Sequence, residues 1–199
     1  MSGTPERLAR DLRAAGVPVS DLWELVNTKA QYKAAIPVLL DWLGNVDSRV
    51  PRQDRTKVRE GLVRALSVPT ARPAAAPLLF DEFRGADDPS GLGFRWVVGN
   101  ALSVVADDSF FDEMEILVRD PEYGKARQMV VLGLGKSKDP RAVPLLIDLL
   151  DDQEVAAQAT MALGKLKPAG IRPALERLKD HPQPLVRREA RKALAKLGA

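Results

Sequence analysis

The sequence contains no cysteine and a single histidine, His181. The missing thiols exclude disulfide bonds, thiolate zinc sites and a cysteine nucleophile. One histidine cannot build a metal site that needs several imidazole ligands. We therefore expect no metal and no cofactor.

Aromatic side chains and long apolar runs are also scarce. Aromatics make up 5% of the chain, and no apolar run reaches the roughly 20 residues that span a bilayer. The first residues, MSGTPERLARDLRAAG, are charged and lack the apolar segment of a signal peptide. These features predict a cytoplasmic protein that does not contact a membrane.

Charge is nearly balanced along the 199 residues, but it is unevenly distributed. The net charge is +3, with ten Lys and Arg against three Asp and Glu between positions 165 and 199. Between positions 81 and 122 the ratio is reversed, at three against eleven. This asymmetry is typical of solvated faces, and it can also steer a charged partner.

A short apolar pattern recurs at intervals of about 30 residues. Five stretches end in Ala-Leu or Gly-Leu, and 36, 32, 29 and 31 residues separate their final leucines. These leucines are Leu66, Leu102, Leu134, Leu163 and Leu194. Apolar or small residues recur at helical spacing before each one, so every stretch predicts a helix. The small residue before each leucine would let a neighbouring helix come close.

A second predicted helix precedes each of these stretches. Four of the five contain a proline followed by apolar residues, at Pro37, Pro77, Pro144 and Pro173. Proline suits a first helical turn, where its missing N–H leaves no bond unmade. In the third unit, FFDEMEILV occupies this place without a proline.

Each unit is therefore a hairpin of two amphipathic helices that cannot bury its apolar faces alone. Stacked hairpins shelter one another and share a continuous core. The sequence predicts an all-α fold, an α-solenoid of about five repeats over residues 32–199. Residues 1–31 predict an N-terminal helical cap that covers the first repeat, with Ser20 as an N-cap.

The stretch AVPLLIDLLDDQEVAAQATMALGKL, which begins at Ala142, closely resembles a HEAT repeat of the short bacterial type related to phycobilin lyase subunits. The resemblance extends over roughly residues 32–199 and is strongest from Arg141 onward. It implies a scaffold or adaptor. Many similar proteins have this role, and a few are enzymes. A chromophore-lyase chaperone is a weaker reading that only the family name favours.

An arginine recurs near the start of the second helix in four units, at Arg59, Arg95, Arg127 and Arg187, and Ala156 replaces it in the fifth. Aspartates lie seven residues before three of them, at Asp88, Asp120 and Asp180, and Asp54 lies five before Arg59. The resemblance implies a ladder in which turn aspartates bond these arginines across neighbouring units. The alternative is a row of arginines that grips phosphates.

Two other patterns suggest chemistry less strongly. The stretch GLGKS at 133–137 lacks the earlier glycine and the preceding strand of a phosphate-binding loop, and it fits a helix end. The carboxylates between Asp107 and Glu115 flank a predicted turn, where they would cap a helix. Neither pattern predicts an active site.

A nucleic-acid function is the main alternative to protein binding. HEAT-like DNA alkylpurine glycosylases use tryptophan, aspartate and arginine on a basic surface, and the basic stretch at 48–64 could contact a DNA backbone. Trp42 and Trp96 instead fall at apolar helix positions that predict core packing, and Trp23 lies in the cap. The acidic middle of the chain would repel DNA.

We expect a non-enzymatic scaffold or adaptor whose second helices bind another protein. The alternative that stays open is a DNA-binding or DNA-repair solenoid, in which nucleic acid is the partner. Periodicity places five polar side chains on the solvent side of second helices as candidate partner-binding residues. They are Lys57, Glu60, Arg188, Arg191 and Lys192.

Overall fold

A computed structural model describes residues 3–89 and 91–197, and within these ranges the chain is helical with no strand. This confirms the all-α prediction. No helix in this part of the chain has the length and apolarity needed to cross a membrane. The α-helices are α1 (Thr4–Ala14), α2 (Leu22–Asn27), α3 (Ile36–Gly44), α4 (Val46–Arg49), α5 (Arg55–Leu66), α6 (Ala76–Gly85), α7 (Phe94–Val105), α8 (Phe111–Arg119), α9 (Arg127–Gly133), α10 (Ala142–Asp148), α11 (Ala156–Leu166), α12 (Arg172–Arg177) and α13 (Pro184–Leu197).

These helices pair into hairpins that stack in one row. The hairpins are α1–α2, α3–α5, α6–α7, α8–α9, α10–α11 and α12–α13, and the short α4 lies in the connection between α3 and α5. Each second helix contacts the second helix of the next hairpin, in the order α2, α5, α7, α9, α11 and α13. The α-solenoid prediction is confirmed, with five hairpins after the N-terminal one.

The first helix of most hairpins begins with the expected proline. Pro37, Pro77 and Pro173 are the second residues of α3, α6 and α12, respectively. An N–H at this position would have no intrahelical partner. Pro144 is the third residue of α10 and also lies in its first turn. The unit without proline instead uses Asp107, whose carboxylate accepts a bond from the Ser109 N–H at 3.0 Å.

Small residues set a constant register between neighbouring second helices. A Cβ added to Gly135 would lie 2.9 Å from Ala162 Cα, and one added to Gly133 would lie 3.0 Å from Ser103 Cα. A Cβ on Gly164 would lie 2.7 Å from Ala193 Cβ. Each contact joins the residue that follows the final leucine of one second helix to the residue that precedes the final leucine of the next second helix. Equivalent positions of successive helices therefore form straight rows across the array.

The two helices of a hairpin have different neighbours. Second helices contact one another along the whole row, whereas first helices contact their counterparts sparsely. Because second helices pack more closely than first helices, the row is expected to curve with second helices on its inner side and first helices on its outer side. Surface ion pairs link several outer helices, such as Arg119 to Asp148 at 3.2 Å.

The N-terminal hairpin continues this row. Gly61 of α5 leaves room for Leu22 of α2, because a Cβ there would lie 2.7 Å from Leu22 Cδ2. The hydroxyl of buried Tyr32 donates to the carbonyl of Ala65 at 2.8 Å, which ties the following connection to the end of α5. The N-cap of α2 is Asp21 and not Ser20 as predicted, since the Asp21 carboxylate accepts the Trp23 N–H. The boundary between residues 31 and 32 stays a prediction.

Candidate functional site

The exposed side of the second helices forms a regular surface along the row of hairpins. Two rows of side chains define this inner face, because residues four apart lie on one side of a helix. The row two residues before each final leucine contains Arg64, Asn100, Leu132, Met161 and Lys192. The row six residues before it contains Glu60, Trp96, Gln128, Ala157 and Arg188.

All five sequence-predicted binding residues belong to the second helices α5 and α13. Four of them lie at opposite ends of the inner face. Lys57 is exposed near the start of α5, and Glu60 is half-buried with its carboxylate 2.8 Å from Arg64. Arg188 and Lys192 lie on α13, where both bond the buried carboxylate of Glu189 at 2.9 Å. The intervening α7, α9 and α11 separate the two groups. Their role in binding stays a prediction.

The fifth candidate, Arg191, points elsewhere. Its equivalent in α7 is Gly99, which meets Ala126 of the following hairpin. Arg191 therefore lies on the side of α13 that is turned away from α11, and it is exposed. A charge change at Arg191 would therefore test binding at the end of the array and not binding at the inner face.

An apolar strip crosses the middle of the inner face. It consists of Trp96 on α7, Leu132 on α9 and Met161 on α11, together with Val97 and Met129, which lie in an adjacent row five residues before the final leucines. Met161 is 38% exposed, and the others are half-buried. Trp96 was predicted to be core, and this is wrong, because it borders an open cavity of about 190 Å³ together with Val26, Arg64 and Asn100. Trp42 is buried as predicted.

The helices that carry the strip contain no aspartate or glutamate. Every charged side chain of α7, α9 and α11 is positive, namely Arg95, Arg127 and Lys165. Lys165 follows Met161 by one helical turn, and Lys136 follows Leu132 in the same way. These two lysines form a basic edge along one side of the strip.

Lys136 on the basic edge has a pKa below its usual value. Burial lowers the pKa of Lys136, and repulsion from Arg72 and Lys165 lowers it further, while Asp107 and Asp108 oppose the shift. The Lys136 ammonium also donates to the carbonyls of Ser103 and Val104 at the end of α7. Lys165 makes no hydrogen bond or ion pair with the part of the chain that the structure describes.

The opposite edge, formed by the turns inside the hairpins, is acidic. It carries Asp87, Asp88, Asp120, Glu122, Asp151, Asp152 and Glu154. Several of these carboxylates accept backbone N–H groups, such as Asp120 from Glu122 and Asp152 from Glu154, each at 2.9 Å. Asp120 and Asp152 therefore cap the turns that lead into α9 and α11. Asp88 instead accepts the Arg95 N–H at the start of α7 itself.

The recurring arginines mainly close their own hairpins. Arg127 is 2% exposed and donates to the carbonyls of Val118 at 2.9 Å and Gly124 at 3.1 Å. Arg95 donates to the Phe83 carbonyl, and Arg187 donates to the His181 carbonyl. These carbonyls lie at or beyond the ends of first helices, where intrahelical partners are missing.

Among the contacts of residues 3–89 and 91–197, the bond between Arg127 and a turn aspartate matches the ladder implied by the resemblance. Arg127 bonds Asp152 of the next hairpin at 2.7 Å. That hairpin has Ala156 in place of its own arginine. Arg59 reaches the next hairpin through Glu82 at 3.0 Å and not through a turn aspartate. Since these guanidinium groups are occupied by carbonyls and carboxylates, a phosphate-gripping row is not supported by their geometry.

Acidic partners also occupy much of the basic stretch at 48–64. Arg49 bonds Asp41, Arg59 bonds Asp47 at 2.8 Å, and Arg64 bonds Glu60. The bond and charge of Arg59 lower the pKa of Asp47, which shows how close this pairing is. Little uncompensated charge is left here for a DNA backbone.

The remaining sequence motifs have structural roles. The glycines of GLGKS lie at the end of α9 and allow close contact with α7 and α11. Asp108 accepts the Ser137 hydroxyl at 2.5 Å and the Lys138 N–H at 2.9 Å. Within residues 3–89 and 91–197, no group of three or more histidine, cysteine, aspartate or glutamate side chains is placed to hold a metal ion.

Comparison with known families gives matches over the second half of the chain. Residues 126–152 match the PBS lyase HEAT-like repeat, and residues 151–199 match HEAT repeats. No curated protein matches the sequence. The earlier hairpins have the same two-helix architecture and stack in the same row. Residues 126–199 are therefore similar to HEAT repeats, including the type related to phycobilin lyases, and the earlier hairpins share their architecture.

Proposed function

We propose that this protein is a non-enzymatic scaffold that binds another protein through its inner face. The observation that carries the proposal is the partly exposed apolar strip from Trp96 to Met161. Soluble proteins rarely leave contiguous apolar surface open unless it meets a partner. The strip is rigidly presented, since it stands on helices that contact one another along the row.

A scaffold also agrees with the residues available for chemistry. The sequence has no cysteine and one histidine, and His181 uses its Nδ1 to accept the Gln183 N–H at 3.1 Å. The recurring arginines and turn aspartates are engaged in closing and capping the hairpins. The cytoplasmic location expected from the sequence belongs to this proposal, and cell fractionation would test it.

Site-specific photo-crosslinking in cells that express the protein tests the proposal. A photoreactive amino acid replaces Gln128 on the inner face, and in a matched variant it replaces Ile116, which is 63% exposed on the outer helix α8. We expect discrete protein adducts from position 128 and few from position 116. Equal adduct patterns from both positions, or adducts from position 116 alone, would contradict binding at the inner face.

DNA binding is a second candidate function, because Trp96 lies beside Arg64 on a face with positive helices. Fluorescence anisotropy of a labelled duplex at low and high salt tests it. A DNA interface predicts binding at low salt that weakens steeply as salt releases the electrostatic contacts. No binding at low salt would remove this candidate.

A further inference from the structure

The inner face has features that select one class of partner, and this inference rests on the proposed function. We propose that the apolar strip binds an acidic amphipathic helix of a partner protein. The leucine-like side chains of that helix would cover Met129, Leu132 and Met161. Its carboxylates would lie against the basic edge of Lys136 and Lys165.

Charge complementarity supports an acidic occupant. Helices α7, α9 and α11 carry no carboxylate, and the carboxylates of the hairpin turns lie on the opposite edge. Asp107 and Asp108, in the connection after α7, lie beside Lys136 and compensate part of its charge. Lys165 is therefore the main uncompensated charge of the basic edge. Lys165 has no bonded partner within the described chain, and its neighbour Lys136 already meets repulsion from it. An approaching carboxylate would relieve this repulsion. A basic segment would increase it.

The dimensions and polarity of the strip support a helix. The strip crosses three adjacent helices, and helices pack about 8–10 Å apart, so it is about 16–20 Å long. A helix of about 11–13 residues covers that length at 1.5 Å per residue. A helix also satisfies its own backbone bonds, whereas an extended segment would need donors and acceptors that an apolar strip does not offer.

The chemistry of the strip suits this mode of binding. Methionine side chains are flexible and polarizable, and they adapt to apolar surfaces of different shape. Trp96 adds a rigid ring on α7, whereas Met129 and Met161 lie on α9 and α11. The combination favours recognition of an apolar helix face with tolerance for its exact sequence.

The test uses two labelled peptides of about 15 residues, each held helical by a staple on the face away from its leucines. Both have the same leucine pattern, and their polar positions are all Glu in one and all Lys in the other. Anisotropy with the full chain at about 50 mM salt should give at least about tenfold tighter binding of the Glu peptide, and about 500 mM salt should reduce the difference.

Surface variants with matched controls locate the binding. Met161→Glu should weaken the Glu peptide at least about tenfold, because it removes an apolar contact and adds repulsion. Lys165→Glu should weaken it by about threefold or more. Ile116→Glu on α8 and Lys29→Glu before α3 introduce the same charge at exposed positions away from the strip. Both variants should bind the Glu peptide within about twofold of the wild-type affinity.

Four results would overturn the inference: equal binding of the two peptides, tighter binding of the Lys peptide, binding of neither, or tighter binding of a DNA duplex than of the Glu peptide. Unchanged affinity in Met161→Glu would also overturn it. The crosslinking experiment separates these failures from failure of the proposed function. Adducts from position 128 without Glu-peptide binding would leave a scaffold with a different kind of partner.

Discussion

At the scale of single residues, buried polar side chains hold each hairpin closed. Arg127 shows this most clearly, because one guanidinium bonds the end of α8, the following turn and Asp152 of the next hairpin. Burying such a charge is favourable only when all of its partners are present. The sequence indicated that this arginine matters, but it did not reveal that backbone carbonyls are its main partners.

Replacing this arginine should therefore be costly. Arg127→Met keeps the volume but leaves the Val118 carbonyl and Asp152 without their donor. We expect the free energy of unfolding to fall by about 2–4 kcal/mol. Arg187→Met, at a less buried end of the array, should cost about 1 kcal/mol. Urea denaturation measures both, and equal losses would contradict the special role of Arg127.

Glu189 predicts a pH-dependent contribution to stability. Burial alone would raise its pKa, but the bonds from Lys192 and Arg188 bring the pKa below its usual value. The folded pKa is then lower than the unfolded value of about 4.3, so the contribution is complete above that pH and is lost as pH falls through the folded pKa. The carboxylate therefore stabilises the protein at neutral pH.

Glu189→Gln should lower the free energy of unfolding by about 1 kcal/mol at pH 7, and the difference from the wild type should shrink below about pH 4. Urea midpoints of both proteins at several pH values measure this change. Glu154→Gln, at an exposed side chain in the turn of the preceding hairpin, is the matched control. A difference in the free energy of unfolding that grows as the pH falls would contradict this prediction.

Two predictions for single residues, the N-cap at Ser20 and the core position of Trp96, were wrong. Ser20 and Asp21 can both cap a helix, and the carboxylate of Asp21 is the group that meets the α2 backbone. Trp96 is apolar and was assigned to the core on that ground. Of the four equivalent residues, Glu60, Gln128 and Arg188 are polar, and the fourth is the buried Ala157. Comparison of equivalent positions between units would have placed Trp96 on the inner face.

At the scale of helices, close contacts decide how the hairpins stack. The small residues beside the final leucines were expected to allow close approach, and the contacts of Gly133, Gly135 and Gly164 confirm it. Helix pairs follow from apolar periodicity and from proline in the first turn. The extra helix α4 and the short 3₁₀ helices between the α-helices could not be predicted, because segments of three to six residues are too short to show a periodic pattern.

A methyl group at one of these contacts should disturb the array. Gly135→Ala places a Cβ against the backbone of Ala162, which cannot move without shifting α11. We expect a net loss of about 1–3 kcal/mol in the free energy of unfolding. Gly85→Ala at the end of α6 meets no atom within 4 Å. That control should be neutral or stabilising, and a similar loss in both variants would contradict the register.

At the scale of the whole molecule, the row of hairpins creates a surface that no single hairpin has. The fold was predictable because every unit meets the same packing demand and therefore repeats the same pattern. The inner face was harder to predict, since it is defined by one or two side chains from each unit. Its apolar strip and basic edge emerge only when α7, α9 and α11 are placed in register.

The methionine methyl groups give the most direct test of the inner face. The chain has four methionines, of which Met129 and Met161 lie on the strip and Met114 is buried in α8. In the spectrum of protein labelled with ¹³C at methionine methyls, titration with the Glu peptide should shift the signals of Met129 and Met161 and leave Met114 in place. Binding that shifts Met114 and leaves Met129 and Met161 unchanged would contradict the account.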